Sequence, residues 1–170
     1  MATKDENFAL IDFLLSLTSE KDRGVLAELR RGLQYPPGEA VSMYRYIARY
    51  VPNEYRGRER EKVYYLISAL YAYHQENTTQ GNFGNHMAAL VDSEEKQAAV
   101  ERRFTILLNA NSADMHDYLR QSVSLLKSKE IPVNWNKLMS DLFHWSAPEK
   151  YIQRKWANSF WVYQNAETAN

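Results

Sequence analysis

A chain of 170 residues, 45% of them hydrophobic, can bury one core or two small lobes that share a core. It contains no cysteine, which excludes disulfides, thiolate chemistry and cysteine-ligated metal sites and fits a reducing cytoplasm. Its 21 basic side chains balance 21 acidic ones, and a net charge of zero argues against a non-specific nucleic-acid binder. The N-terminus is unlike a signal peptide, and no apolar run approaches the ~18–20 residues of a membrane span. We therefore expect a soluble, cytoplasmic protein without a membrane segment.

The charged residues fall into alternating blocks. Residues 1–22 have a balance of −3, from five acidic and two basic side chains, and residues 63–101 have a balance of −4, from five acidic and one basic. Residues 23–62 and residues 102–155 each carry nine basic and five acidic side chains, a balance of +4. Two basic blocks can form one basic face on a neutral molecule, or folding can scatter them.

Four helices are predicted in the N-terminal half, where apolar residues recur at the helical spacing. The first covers residues 5–17, and Thr18 and Ser19 are a start signal for the second, which ends at Tyr35-Pro36-Pro37-Gly38. The third is expected over residues 39–51 and the fourth over residues 63–76. The residues expected to be buried in these helices are Phe8, Ile11, Val25, Leu26, Leu29, Leu33, Met43, Tyr44, Ile47, Val51, Tyr64, Tyr65, Leu66, Ile67, Leu70, Tyr71 and Tyr73.

Two pairs of arginines lie on the outer sides of these helices. Arg31 points away from the apolar stripe of the second helix, and Arg30 lies at its border. Arg45 and Arg49 stand four residues apart in the third helix, where like charges slightly destabilise it. An anionic partner could explain Arg45 and Arg49. Arg30 and Arg31 are explained equally well by a binding role and by a solvated surface.

The segment NTTQGNFGN, residues 77–85, is the best lobe boundary because it combines two glycines with many turn formers. A short helix over residues 86–91 follows. The later helices are separated at residues 109–112, at Ile131-Pro132, after which Asn134 is a good cap, and at Ser146-Ala147-Pro148-Glu149, which has capping-box spacing.

Basic residues border the apolar stripes of the C-terminal helices. Arg102 points away from its stripe with Arg103 on the flank, Arg120 and Lys127 line one edge, and Arg154 faces outward with Lys155 beside it. A basic edge repeated on successive helices suits a protein that follows a phosphate backbone, although charges border the core stripe of most surface helices. The expected stripes are Val100, Phe104, Leu107 and Leu108, then Met115, Tyr118, Leu119, Ser122 and Leu126, then Ile152, Trp156, Phe160 and Tyr163, with Trp161 outward.

No segment alternates as a strand does, so we predict an all-α, two-lobed bundle of about eight or nine helices. The predicted N-terminal lobe covers residues 1–76, a connecting segment residues 77–92, the C-terminal lobe residues 93–165 and a frayed tail residues 166–170.

Nothing in the sequence nominates an active site. The four histidines have no metal-ligand spacing, and no glycine-rich phosphate loop is present, so we expect no metal, no cofactor and no enzymatic activity. Asp141 and His144 are one helical turn apart and could hydrogen-bond, but no nucleophile accompanies them. A helical hydrolase built on that pair is therefore the weakest of the interpretations.

The chain resembles the small subunit of the type I-E CRISPR Cascade surveillance complex, the CasB family. The matching segments occur in the expected order over almost the whole chain, and the C-terminal half is the more specific part. They are DRGVLAELRRGL (residues 22–33), GNFGNHMAAL (residues 81–90), ERRFTILLNANSADMHDYLRQSVSLLKSKEIPVNWNKLMSDLFHW (residues 101–145) and QRKWANSFW (residues 153–161).

This resemblance implies a non-catalytic subunit that holds the R-loop by binding the displaced DNA strand and the target–guide region through a basic surface. The implied partners are other Cascade subunits, the guide RNA, single-stranded DNA and a second copy of the chain. The residues assigned to nucleic-acid binding are Arg30, Arg31, Arg58, Arg102, Arg103, Arg120, Lys127, Arg154 and Lys155. Because the net charge is zero, low affinity for free DNA is expected outside the complex. The alternative is a helical protein–protein interaction module without direct nucleic-acid contact, whose outward aromatics, such as Trp161, dock on another protein.

Overall fold

A computed structural model describes residues 8–162 of the chain. Within that range the structure contains nine α-helices and no strand, so the predicted all-α class is confirmed. The chain divides into two compact units between Gln75 and Glu76, here called the first unit and the second unit. The segment 77–92, which was expected to connect two lobes, belongs to the second unit.

The first unit is organised around its longest helix. Its helices are α1 (Ala9–Ser16), α2 (Arg23–Arg31), α3 (Tyr44–Ile47) and α4 (Glu59–Tyr73). Residues 63–72 of α4 are all buried, which requires apolar contacts around its whole circumference. The other helices of the unit pack against it, and they contribute fully buried residues such as Leu14, Leu29 and Ile47 to the core.

Two predicted helices of this unit differ from those observed. The third is a single α-turn, α3, between 3₁₀ turns at Val41–Met43 and Ala48–Tyr50, consistent with the weak helix propensity of its aromatic and β-branched residues. The fourth begins at Glu59, four residues earlier than expected. Its charged start is favoured because Glu59 and Glu61 lie in the first turn, where the helix dipole attracts acids.

The second unit contains the five remaining helices. They are α5 (Phe83–Ala88), α6 (Glu94–Asn109), α7 (Ser112–Ser128), α8 (Trp135–Leu142) and α9 (Tyr151–Ala157), and α9 continues as a π-helical turn at Asn158–Val162. An aromatic cluster forms its core. The centroids of Trp156 and Phe83 are 5.1 Å apart, those of Trp156 and Trp145 5.0 Å, and those of Phe104 and Phe160 4.6 Å.

Asparagine side chains cap three of these helices, among them α7 and α8. Asn134 Oδ1 accepts a hydrogen bond from the amide of Lys137 at 3.0 Å, as predicted for α8. Asn111 Oδ1 accepts from the amides of Ala113 and Asp114, both at 2.9 Å. The capping box predicted at residues 146–149 is wrong, because α9 begins later and its cap residue, Lys150, has a left-handed backbone (φ 50°) and makes no side-chain cap bond.

Candidate nucleic-acid interface

The nine basic residues predicted to bind nucleic acid are all exposed. Burial therefore excludes none of them from contacting a phosphate. Three belong to the first unit, in α2 or just before α4, and six belong to the second unit, in α6, α7 and α9. They are Arg30, Arg31 and Arg58 in the first unit, and Arg102, Arg103, Arg120, Lys127, Arg154 and Lys155 in the second.

Arg30 and Arg31 form the last turn of α2. Leu26 and Leu29 of that helix are buried, so the two arginines lie on its solvent side. Cations at a helix C-terminus interact favourably with the helix dipole, which gives the pair a structural reason to be there. Among residues 8–162, no acid forms an ion pair with either guanidinium, and both can accept an anionic partner.

The six basic residues of the second unit lie on helices that pack together. Helix α6 packs against α7, and its Phe104 stacks on Phe160 in the π-helical turn that continues α9. Arg102 and Arg103 precede Phe104 in α6, and they too have no ion-pair partner among the residues the structure describes. The fold thus places the six basic residues on three neighbouring elements of one unit.

Lys155, one of the nine cations, has an internal contact. The ammonium of Lys155 lies 5.5 Å from the centroid of the Tyr151 ring, one turn earlier in α9, in a cation–π geometry. Arg154, its neighbour, has no acidic partner within the described range. Of this pair, Arg154 is the side chain better placed to bind an external anion.

The proposed need of Arg45 for an anionic partner is met within the protein. Its Nη2 donates to Glu28 Oε1 of α2 at 2.6 Å. This hydrogen bond raises the pKa of Arg45. Glu28 therefore neutralises Arg45, which relieves the repulsion between the two arginines. Among residues 8–162, Arg49 has no acidic partner.

Arg58 lines an open cleft of about 720 Å³ in the first unit, here called the Arg58 cleft. Two further arginines line it that were not among the predicted site residues, Arg49 and Arg56. The sequence signal for Arg56 was the charged run around Gly57, RGRERE, which follows the Pro52 turn, and the signal for Arg49 was the like charge of Arg45 four residues earlier. The other charged and aromatic residues of the lining are Glu39, Glu59, Glu61, Lys62, Tyr44 and Tyr65.

The walls of the Arg58 cleft are held by internal hydrogen bonds. The Tyr44 hydroxyl donates to the carbonyl of Gly38 at 2.7 Å, and the Tyr44 ring meets the Tyr65 ring edge-on at 5.6 Å. Gly38 (φ 89°) and Gly57 (φ 72°) adopt left-handed conformations that favour glycine, so both turns of the rim depend on that residue. Burial, and secondarily the charge of Glu61, raises the pKa of Tyr65, so this phenol remains neutral.

The side chains of Asp141 and His144 do not form the hydrogen bond that their spacing would allow. Asp141 is 2% exposed, and its carboxylate accepts hydrogen bonds from Trp156 Nε1 at 2.8 Å and from Lys137 Nζ. His144 is exposed, and its Nδ1 lies 3.1 Å from the carbonyl of Ser140. Asp141 therefore anchors α8 to α9, and the geometry gives no support to a hydrolase built on these residues.

Polar groups of the glycine-rich segment GNFGN form hydrogen bonds within the segment itself. Asn82 Oδ1 accepts from the amides of Gly84 at 2.9 Å and Asn85 at 3.3 Å, and Asn85 Oδ1 accepts from the amide of Asn82 at 2.9 Å. This reciprocal cap occupies the backbone donors that a phosphate would require. The segment is consequently a helix start and not a phosphate loop.

Trp161, expected to face outward, is half-buried. Its ring centroid lies 5.5 Å from that of Phe104 and 4.8 Å from that of Phe160. Tyr163, predicted to be buried in the same helix, lies outside the described residues.

In the described part of the chain, no helix is long and apolar enough to cross a membrane, and no cluster of three or more potential ligands could hold a metal.

Comparison with known proteins gives consistent matches. The chain matches the family model described as CRISPR-associated protein Cse2 over residues 25–161. It is 31% identical over 157 residues to CRISPR-associated protein Cse2 of Thermus thermophilus, a match that covers 89% of this chain and 87% of that protein.

Solved structures share the fold. CasB of M. ruber superposes with a TM-score of 0.78 at 26% identity, and the match covers 99% of this chain and 98% of that one. A chain of a CRISPR RNA-guided surveillance complex superposes with a TM-score of 0.79 at 22% identity, and that match covers 95% and 96% of the two chains.

Proposed function

Since this chain belongs to the CRISPR-associated Cse2 family, we propose that it is a non-catalytic small subunit of an RNA-guided CRISPR surveillance (Cascade) complex. In this role it stabilises the R-loop in antiviral defence, by binding the displaced DNA strand and the target–guide region through its basic surface. Its partners in the proposal are other Cascade subunits, the guide RNA, the displaced single strand and a second copy of itself, in the cytoplasm.

The observation that carries the proposal is a set of exposed guanidinium groups. On a chain whose net charge is zero, six of the predicted arginines have no acidic partner among the described residues. Guanidinium groups that the protein's own acids leave unpaired can form charge-assisted hydrogen bonds with an external phosphate. The six are Arg30, Arg31, Arg58, Arg102, Arg103 and Arg154.

Unpaired guanidinium groups suit a displaced strand because that strand must be held whatever its sequence. Contacts to phosphates carry no sequence information, and they supply most of the affinity for non-specific binding. Formation of an R-loop is close to balanced in free energy, because the RNA–DNA hybrid replaces a duplex of similar stability. A few phosphate contacts are therefore enough to favour the opened state.

The proposal is tested by measuring how binding to single-stranded DNA depends on salt. The slope of log K against log salt is negative. We expect Arg102→Gln/Arg103→Gln to make it shallower by about 1.4, since each lost phosphate contact removes ~0.7 from its magnitude. The measurement is fluorescence anisotropy with a labelled oligothymidine over a series of NaCl concentrations.

The matched control is Lys96→Gln/Lys129→Gln, which removes the same charge from the same unit. Lys96 forms an ion pair with Asp92 at 3.2 Å, and Lys129 also lies close enough to Asp92 to lower its pKa. This control should keep the original slope. Equal slopes for the two double variants would show that Arg102 and Arg103 make no phosphate contact.

The interaction-module alternative is favoured by one observation of the first unit. Val41 is 72% exposed and Tyr35 is 53% exposed, so two large side chains of low polarity face solvent close together in the sequence. If this surface binds a neighbouring subunit, Val41→Asp should abolish co-purification with the complex and leave the salt dependence of DNA binding unchanged. Retained co-purification would remove the support for that alternative.

A further inference from the structure

The Arg58 cleft combines unpaired cations with an exposed, tethered aromatic ring, and both face one open concave site. We propose that this cleft binds a short stretch of single-stranded nucleic acid, with its phosphates on Arg49, Arg56 and Arg58 and a base stacked on Tyr44. The inference rests on the proposed function and gives that function a specific site in the first unit.

The charges of the lining favour an anion after its internal contacts are counted. Four basic and three acidic side chains line the cleft. Glu59 is engaged by Lys62 at 2.7 Å, and Glu61 accepts a hydrogen bond from the amide of Gly57 at 2.6 Å. With Lys62 paired to Glu59, three guanidinium groups remain against the carboxylates of Glu39 and Glu61, so the lining has a net charge of +1.

Guanidinium groups fit phosphodiesters closely. Their planar fork presents two parallel N–H donors to two phosphate oxygens, a geometry that ammonium groups lack. Arg56 lies close enough to Tyr65 to act on its pKa, in the lowering direction. Arg58 follows Gly57, whose left-handed backbone turns the chain at the rim of the cleft.

Tyr44 has the properties of a stacking platform. It is 40% exposed although its ring lies against the buried Tyr65, and the hydrogen bond from its hydroxyl to Gly38 fixes the end of the ring. A ring that is already held loses little side-chain entropy when a base stacks on it. Stacking on an aromatic ring is tolerant of base identity, as binding to a strand of any sequence demands.

The size of the cleft favours a single strand over the other anionic macromolecules. Its volume of about 720 Å³ is within the range of small-ligand clefts, ~300–1,000 Å³, and is too small to enclose a duplex. In a duplex the base faces are already stacked on one another, so none is free for Tyr44. An acidic peptide would satisfy the arginines but would supply no planar partner for the ring.

The first test is photo-crosslinking of the full-length protein with a 5-iodouracil oligonucleotide, followed by mass spectrometry of the linked peptide. We expect a crosslink on Tyr44 with the single strand and none with the same sequence as a duplex. Tyr35, which is 53% exposed and outside the cleft, should not react. Absence of the Tyr44 crosslink, or equal crosslinking by the duplex, would overturn the stacking assignment.

The second test compares binding of labelled oligothymidine by matched variants. Arg49→Gln/Arg56→Gln/Arg58→Gln should reduce the magnitude of the slope of log K against log salt by about 2. Tyr44→Ala should weaken binding about 5- to 150-fold. The control triple is Arg23→Gln/Arg45→Gln/Arg60→Gln, which removes the same charge from the same unit. Arg23 and Arg45 are paired with Glu20 and Glu28, and Arg60 contacts Tyr55, so this variant should keep the slope.

The outcomes separate this inference from the proposed function. If the cleft triple keeps the original slope while Arg102→Gln/Arg103→Gln lowers it, the cleft assignment is wrong and the strand-holding role stands. If the cleft triple keeps its slope and a glutamate-rich peptide binds the wild-type protein but not that triple, the cleft docks protein instead. If the wild-type protein binds no strand at low salt, both are wrong.

Discussion

A Cβ built on Gly84 would lie 2.1 Å from the carbonyl oxygen of Trp156, so the backbones of α5 and α9 touch at this point. The obstruction is a backbone atom, which cannot rotate away as a side chain can. The Trp156 ring packs on Phe83 beside the same contact, at 5.1 Å between centroids. Helix α9 and the aromatic core of the second unit are therefore positioned by the missing side chain of Gly84.

Substitution of Gly84 by alanine should lower the free energy of unfolding by about 2–3 kcal/mol, since the added methyl group forces α5 away from α9. The matched control is Gly24→Ala in α2, where a Cβ meets nothing within 4 Å. There the better helix propensity of alanine should raise stability by about 0.5–1 kcal/mol. Urea denaturation followed by circular dichroism measures both, and equal effects would contradict the close approach.

Asp141 should matter for stability and not for any chemistry. Asp141→Ala leaves the buried Trp156 indole N–H without an acceptor and Lys137 without its carboxylate, at a cost of about 3 kcal/mol. Asp141→Asn keeps an acceptor for the indole and should cost about half as much. Thermal denaturation of both variants checks this order of stabilities. A nuclease activity that is lost in Asp141→Asn at an unchanged melting temperature would contradict the purely structural role of Asp141.

His86 makes the second unit sensitive to acid. Its Nε2 accepts a hydrogen bond from the amide of Asn134 at 3.0 Å, which requires a neutral ring, and burial lowers its pKa to about 4. At a pH above 6.5, the ordinary pKa, the ring is neutral in both the folded and the unfolded protein. As the pH falls from 6.5 towards 4, the unfolded chain binds a proton that the folded protein rejects, so stability is lost across that window.

The expected loss from His86 is about 3 kcal/mol between neutral pH and pH 4. The test is urea denaturation at several pH values for the wild-type protein and for His86→Gln, whose amide oxygen can accept the same hydrogen bond without titrating. The variant should lose less stability on acidification, while the exposed control His144→Gln should follow the wild-type curve. Superimposable curves for all three proteins would show that His86 does not titrate on unfolding.

Asn111 should contribute to stability as the cap of α7. Asn111→Ala leaves the amides of Ala113 and Asp114 without their side-chain acceptor and should cost about 1 kcal/mol. Asn111→Asp should be nearly neutral, because a carboxylate accepts the same bonds and interacts favourably with the helix dipole. Chemical denaturation measures both, and an alanine variant as stable as the aspartate variant would argue against the cap.

Much of the fold could be predicted from periodicity alone. The stripes Leu26–Leu29 of α2 and Phe104–Leu107 of α6 are buried as predicted, since burial of an apolar face is the main stabilising interaction of a short helix. The prediction of a single helix over residues 39–51 was wrong. Its apolar spacing is helical, but local turn geometry and weak propensity divide it into α3 and two 3₁₀ turns.

The candidate site was predictable only in part. Exposure of the basic residues on the helices followed from their positions opposite or beside the apolar stripes. Sequence spacing could not reveal that Glu28, 17 residues away, pairs with Arg45, or that Arg49 and Arg56 line a cleft with Arg58. Both relationships join residues of different elements, and the spacing within one helix carries no information about them.

The sequence by itself determined the all-α class, the family and the surface location of the basic residues, because helical periodicity and local charge are properties of neighbouring residues. Only the tertiary structure decided which charges are neutralised internally, that Asp141 is an acceptor for Trp156 in the core, and that Tyr44 lines a cleft with three arginines. Pairing and enclosure depend on which elements pack against each other, and that choice is made by the free energy of the whole core.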